Sequence, residues 1–136
     1  MSFPTEYKQT DEGCSLSFAA STASLADLGA FIRDSCSKNP KVVLIELAVS
    51  EVVMNAIKHG QATSCRVSVS EDTDHYKVIV EDDGAPFDSL EVDAKPMGEL
   101  REGSYGIGFI KETAKELHYA YVDGWNKLTL LFGSSS

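Results

Sequence analysis

From Val42 to Ile57 the chain is nearly all apolar, and this run also carries a carboxylate, Glu51, and an amide, Asn55, four residues apart. That spacing puts both groups on one face of a helix. A helix that is hydrophobic almost all round is a buried one. A buried polar group without a partner costs about 2–7 kcal/mol, so Glu51 and Asn55 predict a site. Extending the stripe adds Lys58 and His59, and Gly60 then predicts a helix stop with cations in the last turn. A carboxylate, an amide oxygen and a cation on one line can hold a magnesium ion, a water or hydroxyl group, and a phosphate. A core helix with one solvated edge is the alternative reading of the same pattern.

A chain of 136 residues is the size of one domain, and 43% hydrophobic residues suffice for a proper core. We therefore expect a single domain over 1–136, with flexible tails at 1–11 and 133–136. The net charge of −9 argues against nucleic acid, whose phosphates are bound by clustered Lys and Arg. No polybasic stretch or long apolar span predicts a membrane anchor. The N-terminus lacks the charged-then-apolar layout of a signal peptide. Cys14, Cys36 and Cys65 are odd in number and lack metal-ligand spacing, which predicts reduced, mostly buried thiols in a cytoplasmic protein.

Alternation around Leu16 and Phe18 predicts a strand near Cys14 to Ala20. Ser21 or Thr22 can cap a helix from about Leu25 to Ser37, and Asn39-Pro40 breaks it before the long apolar helix. Arg66 to Ser70 and Tyr76 to Glu81 read as two strands of a hairpin. A third helix is predicted from about Tyr105 to Glu116. Strands near Leu117 to Val122 and Lys127 to Phe132 are joined by Asp123-Gly124, a hairpin turn signal. Hairpin-linked strands segregated from helices indicate an α+β two-layer sandwich: a mixed, mostly antiparallel sheet covered on one face by three helices.

Between Asp83 and Ser104 lies a loop rich in Gly and Pro, with signals at both ends. At its start, Asp82-Asp83-Gly84 ends a strand. An acid there can accept a hydrogen bond from an exocyclic amine, while glycine lets a ring approach the backbone. At its end, Gly103-Ser104-Tyr105-Gly106-Ile107-Gly108 runs into the third predicted helix. Bare N–H groups at a helix start form an anion site. Arg101 is placed to reach a terminal phosphate.

The order Glu-x-x-x-Asn on an apolar helix, Asp-x-Gly after a strand, then Gly-x-Gly opening a helix resembles the GHKL (Bergerat-fold) ATP-binding superfamily. Within it, the likeness is to small bacterial anti-sigma factors that are serine protein kinases. The resemblance implies an ATP site with Mg²⁺ in which Asn55 ligates the metal and Glu51 is the catalytic base. It further implies that Asp82 reads the adenine amine, with Gly84 beside the ring and Thr129 helping through water. Lys58, His59, Arg101, Gly106, Ile107 and Gly108 fall on the phosphate side. Ala85-Pro86 stands where many superfamily members have another residue and Gly, although the small anti-sigma kinases it resembles often carry Pro there.

The implied partners are a sigma factor and a STAS-domain anti-anti-sigma protein, phosphorylated on Ser or Thr, with the chain itself a homodimer. Two other functions fit the same motifs. One is an ATP-gated sequestering regulator without phosphotransfer. The other is a detached histidine-kinase catalytic domain, since Asn55-Ala56-Ile57-Lys58-His59 resembles that family too, although no His-Glu or His-Asp phosphoacceptor pair occurs in the chain.

Overall fold

The computed structural model describes residues 5–86 and 114–133. Strand β1 (Glu6–Thr10) and strand β2 (Gly13–Ala19) open the chain, followed by helix α1 (Leu25–Ser35) and helix α2 (Val42–Lys58). Strands β3 (Ser64–Glu71), β4 (His75–Asp82), β5 (Glu116–Val122) and β6 (Trp125–Gly133) complete the described residues. The sheet is six-stranded in the order β1-β2-β3-β4-β6-β5, and every neighbouring pair is antiparallel. The α+β sandwich expected from the sequence is therefore the observed architecture. Two of its three expected helices lie among the described residues. The third falls on residues outside them, except for its last three, of which Ala114 and Lys115 are not helical and Glu116 begins β5.

Strict alternation builds the sheet. On β4, Tyr76, Val78, Val80 and Asp82 face the helices, while Lys77, Ile79 and Glu81 face away. Phe18, Val67, Val78, Leu130 and Phe132 from the sheet meet Leu28, Ile32, Ile45, Val49 and Val53 from the helices, all fully buried. The outer face is polar, with a bidentate Arg66–Glu81 pair at 3.0 and 3.1 Å across β3 and β4. Two of the three thiols, Cys36 and Cys65, are buried, and all three are free. Burial pushes both of these up to about 12, which leaves them inert at neutral pH. No helix among the described residues is long and apolar enough to cross a membrane.

Four expectations need correction. The predicted tail at 1–11 holds β1, and the predicted tail at 133–136 begins on a residue of β6. Helix α2 is not buried all round: Val43 and Leu47, in its first half, are 64% and 54% exposed. The helix stop also works differently. Gly60 donates to Ala56 O, but the left-handed residue is Gln61 (φ 54°). The Asp123-Gly124 turn is as expected, with positive φ at both residues (53° and 84°).

The α1–α2 connection is anchored by a side chain that sequence reasoning treated only as a helix breaker. Asn39 is 2% exposed, donates from Nδ2 to Gly133 O at 2.9 Å, and accepts from Lys41 N at 2.8 Å. It thereby ties the start of α2 to the end of β6. Asn39→Ala would orphan a buried carbonyl and an amide, and should cost about 1–3 kcal/mol. The check is a lowered denaturation midpoint at unchanged denaturant slope.

Candidate functional site

The second half of α2 holds the two polar groups on which the sequence reading turns. Val52, Val53 and Ala56 are buried against the sheet, and Asn55, in the same turns, is only 5% exposed. Glu51, one turn earlier, is half-buried at the helix edge. Lys58 and His59 end the helix at the surface.

The backbone just past the helix end fixes the geometry. Gly60 O accepts a hydrogen bond from Ala85 N at 3.0 Å, so the exit of β4 lies against the end of α2. A Cβ on Gly84 would sit 2.5 Å from Gly60 O. Glycine is needed there for a backbone-to-backbone approach, a nearer reason than the ring contact inferred from sequence. The two acids before it divide their work. Asp83 accepts from Thr63 N at 2.7 Å and Ser64 N at 2.9 Å, as well as from the Thr63 hydroxyl, and clamps the α2–β3 connection. Burial pushes its carboxyl up, but these hydrogen bonds outweigh that and hold it below the usual carboxylate range.

Asp82 faces the cleft. It is 7% exposed, and its Oδ1 accepts from Gly84 N at 2.9 Å and from Asn126 Nδ2 at 3.0 Å. No described residue bonds to Oδ2, the atom left for a ligand. Burial pushes the Asp82 carboxyl up; the bonds from Asn126 and Gly84 pull against that, and neighbouring Asp83 adds to the rise. Asn126, directly opposite Asp82 on β6, also donates to Ala85 O at 2.9 Å and accepts from the Tyr119 hydroxyl.

Asn55, Asp82, Tyr119 and Asn126 thus line one cleft, walled by Val52, Ala56, Val80 and Leu128. It encloses about 20 Å³, room for a single water, so a ring can enter only if its walls part. Larger hollows exist between β1 and α1 (about 600 Å³) and on the outer sheet face (about 400 Å³). Neither gathers buried polar groups as this cleft does.

The structure therefore brings Asn55, Asp82 and Gly84 together, with Glu51 one turn away and Lys58 and His59 at the helix end. It does not bring Thr129 to them. Thr129 alternates with the buried Leu128 and Leu130 and stands on the outer face of the sheet. The expected residues Arg101, Gly106, Ile107 and Gly108 lie outside the described residues. Asn126 and Tyr119 were not singled out from sequence. The Asp123-Gly124 turn could not have found Asn126, because it fixes the register of β5 against β6, whereas Asn126 stands opposite Asp82 through the long-range pairing of β6 with β4.

These groups offer the chemistry for an exocyclic amine: a carboxylate oxygen that no described residue binds, with a glycine beside it. Among the described residues no three His, Cys, Asp or Glu side chains cluster as a metal site.

Comparison with known proteins bears on the same residues. The model of the histidine kinase-like ATPase domain family matches residues 18–132. A sensor protein NarQ homolog of Haemophilus influenzae is 35% identical over 86 residues, 62% of this chain and 14% of that protein. Sensor histidine kinase YvfT of Bacillus subtilis is 37% identical over 41 residues, 30% of this chain and 11% of that protein. The chain thus spans a small fraction of the length of these curated relatives. Among solved structures, the histidine kinase AdeS of Acinetobacter baumannii aligns with TM-score 0.54 and 15% identity, covering 97% of this chain and 69% of that one. The histidine kinase domain of the blue-light activated histidine kinase EL346 of Erythrobacter litoralis aligns at 0.51 and 20%, covering 86% and 62%. These likenesses are of fold.

Two substitutions should act with opposite signs. Gly84→Ala forces a methyl against the Gly60 carbonyl and should cost about 1–3 kcal/mol. Asp82→Asn keeps the Oδ1 bonds and removes a buried charge, so the ligand-free melting temperature should hold or rise. The sign comes from linkage. A raised folded-state pKa means that the Asp82 carboxyl stabilises the fold at low pH and loses that contribution as pH rises through the folded value. The gain from Asp82→Asn should therefore be full at neutral pH and vanish in acid, measured as melting temperature against pH.

Proposed function

The chain belongs to the histidine kinase-like ATPase domain family, and on that premise we propose that it is an ATP-dependent protein kinase acting on a serine or threonine hydroxyl. Its substrate is a small STAS-type antagonist, and in the unphosphorylated arm of the switch it holds a sigma factor. The observation that carries this reading is the half-buried Glu51 one turn before the buried Asn55 on α2. A carboxylate at the helix edge is open to an incoming hydroxyl, and the neutral amide beside it suits a magnesium ion.

Magnesium-ATP, when bound, supplies a phosphoryl group whose charge the metal partly neutralises. Asp82 accepts the exocyclic amine of the base at Oδ2, and Gly84 leaves its backbone bare beside the ring. Asn55 would hold the metal through its amide oxygen. Glu51 orients the acceptor hydroxyl and takes its proton as the oxygen bonds to the terminal phosphorus and the bond to ADP breaks. Positioning and charge neutralisation carry such a transfer. Lys58 and His59 at the helix end, with Arg101, Gly106, Ile107 and Gly108, are assigned to the phosphates. A cytoplasmic homodimer, with no nucleic-acid or membrane partner, completes the proposal.

The sensor kinases among the relatives support a second reading, transfer to a histidine carried by a separate partner. The test is label transfer from γ-radiolabelled ATP into a lysate of the source cells. Wild-type chain should yield one small labelled protein whose label survives acid and is lost in alkali. Glu51→Gln should slow transfer about 10²–10⁴-fold with ATP still bound, and Asn55→Ala should weaken magnesium-dependent binding. An acid-labile label would establish the histidine reading. ATP binding with no label at all would leave an ATP-gated binder.

A further inference from the structure

We propose that Tyr119 and Asn126 form a positioning pair that aims the Asp82 carboxylate and so sets the preference of the cleft for a base with an exocyclic amine. This deepens the nucleotide reading of the same cleft and rests on it.

Hydrogen-bond chemistry leaves the Asn126 amide one orientation. Its Nδ2 faces three acceptors: Asp82 Oδ1 at 3.0 Å, Ala85 O at 2.9 Å and, more distantly, Gly84 O at 3.4 Å. Its Oδ1 accepts from the Tyr119 hydroxyl. Flipped, the amide would put oxygen against three oxygens. The Tyr119 bond therefore holds Asn126, and Asn126 holds Asp82. With Gly84 N and Asn126 Nδ2 both on Oδ1, the carboxylate cannot turn about its last torsion without losing two bonds, and Oδ2 stays directed to the ligand. A carboxyl's terminal torsion is otherwise broad.

Asn126 also acts on charge. Burial raises the Asp82 pKa, and the Asn126 bond lowers it, favouring the ionised form. Ionised, Asp82 only accepts, and it rejects a ring carbonyl in the amine's place. Protonated, it also donates, and a carbonyl becomes acceptable. Holding Asp82 ionised and aimed is what makes an adenine differ from a hypoxanthine here.

The experiment measures the dissociation constants of ATP and inosine triphosphate, which has a carbonyl in place of the amine. The full chain is titrated from mildly acidic to neutral pH, with melting temperatures alongside. Tyr119→Phe and Asn126→Ala should each shrink the preference for ATP about tenfold, the worth of one charge-assisted hydrogen bond. Each should also move the loss of that preference to higher pH, and Asp82→Asn should abolish it. An unchanged preference in Tyr119→Phe, whose ring still fills its place, overturns the proposal even if Asn126→Ala does not fold. If Asp82→Asn keeps the preference, or the wild type binds neither nucleotide, the underlying reading of the cleft falls, and the proposal with it.

Discussion

At the end of α2 two stretches of backbone meet with no side chain between them. Gly60 O takes the Ala85 amide, and Gly84 lies so near that carbonyl that no Cβ fits. This contact joins the end of α2 to the exit of β4 where the cleft opens. It sets Asn55, one turn back from the helix end, beside Asp82, two residues back from Gly84. A larger residue at Gly84 would separate the helix end from the strand end, and the polar groups would lose their common space.

Around that contact the buried polar groups support one another unevenly. Asp83 is over-satisfied, bound by Thr63 and Ser64, and its carboxyl is held down. Asp82 keeps one oxygen unclaimed by described residues, and its carboxyl is raised. Neighbouring residues of the same type are thus driven apart by environment, one clamped into the α2–β3 connection and one left facing the cleft. Cys65, opposite Asp82 in the register, is inert because the same burial that perturbs the acid suppresses the thiolate.

Periodicity decides how much of this molecule was legible in its sequence. Helix α2 and strands β2, β3, β4 and β6 have one apolar face each, and their alternation announced them. Strand β1 has none: all five of its residues are exposed, and it gains its place by pairing with β2. The same limit hid Asn39 and Asn126. Each is a polar residue whose importance lies in a partner far along the chain, Gly133 for one and Asp82 for the other. Thr129 was misplaced for a related reason, because one step along a strand reverses the face, and proximity in sequence to Asn126 says nothing of side. The apolar run of α2 overstated its burial, since Val43 and Leu47 are exposed while Ile45, Ala48 and Val49 in the same half of the helix are fully buried.

The charge of the site constrains how a nucleotide can lie in it. A chain of net charge −9 binding a polyanion must keep the phosphates away from its own carboxylates. Asp82 sits at the β4 end of the cleft with an acceptor outward, a place fit for an amine and hostile to a phosphate. Asn55 is neutral, and Lys58 and His59 come after it at the helix end. In the proposed reading the base therefore belongs at Asp82 and the phosphates toward Asn55, Lys58 and His59. Glu51 lies farther back along α2 from Gly60 than Asn55 does, on the side from which an acceptor can meet a terminal phosphate rather than the base. Read from its C-terminal end, α2 presents the groups of the proposed transfer in turn: the cations Lys58 and His59, the metal ligand Asn55 and the acceptor's base Glu51.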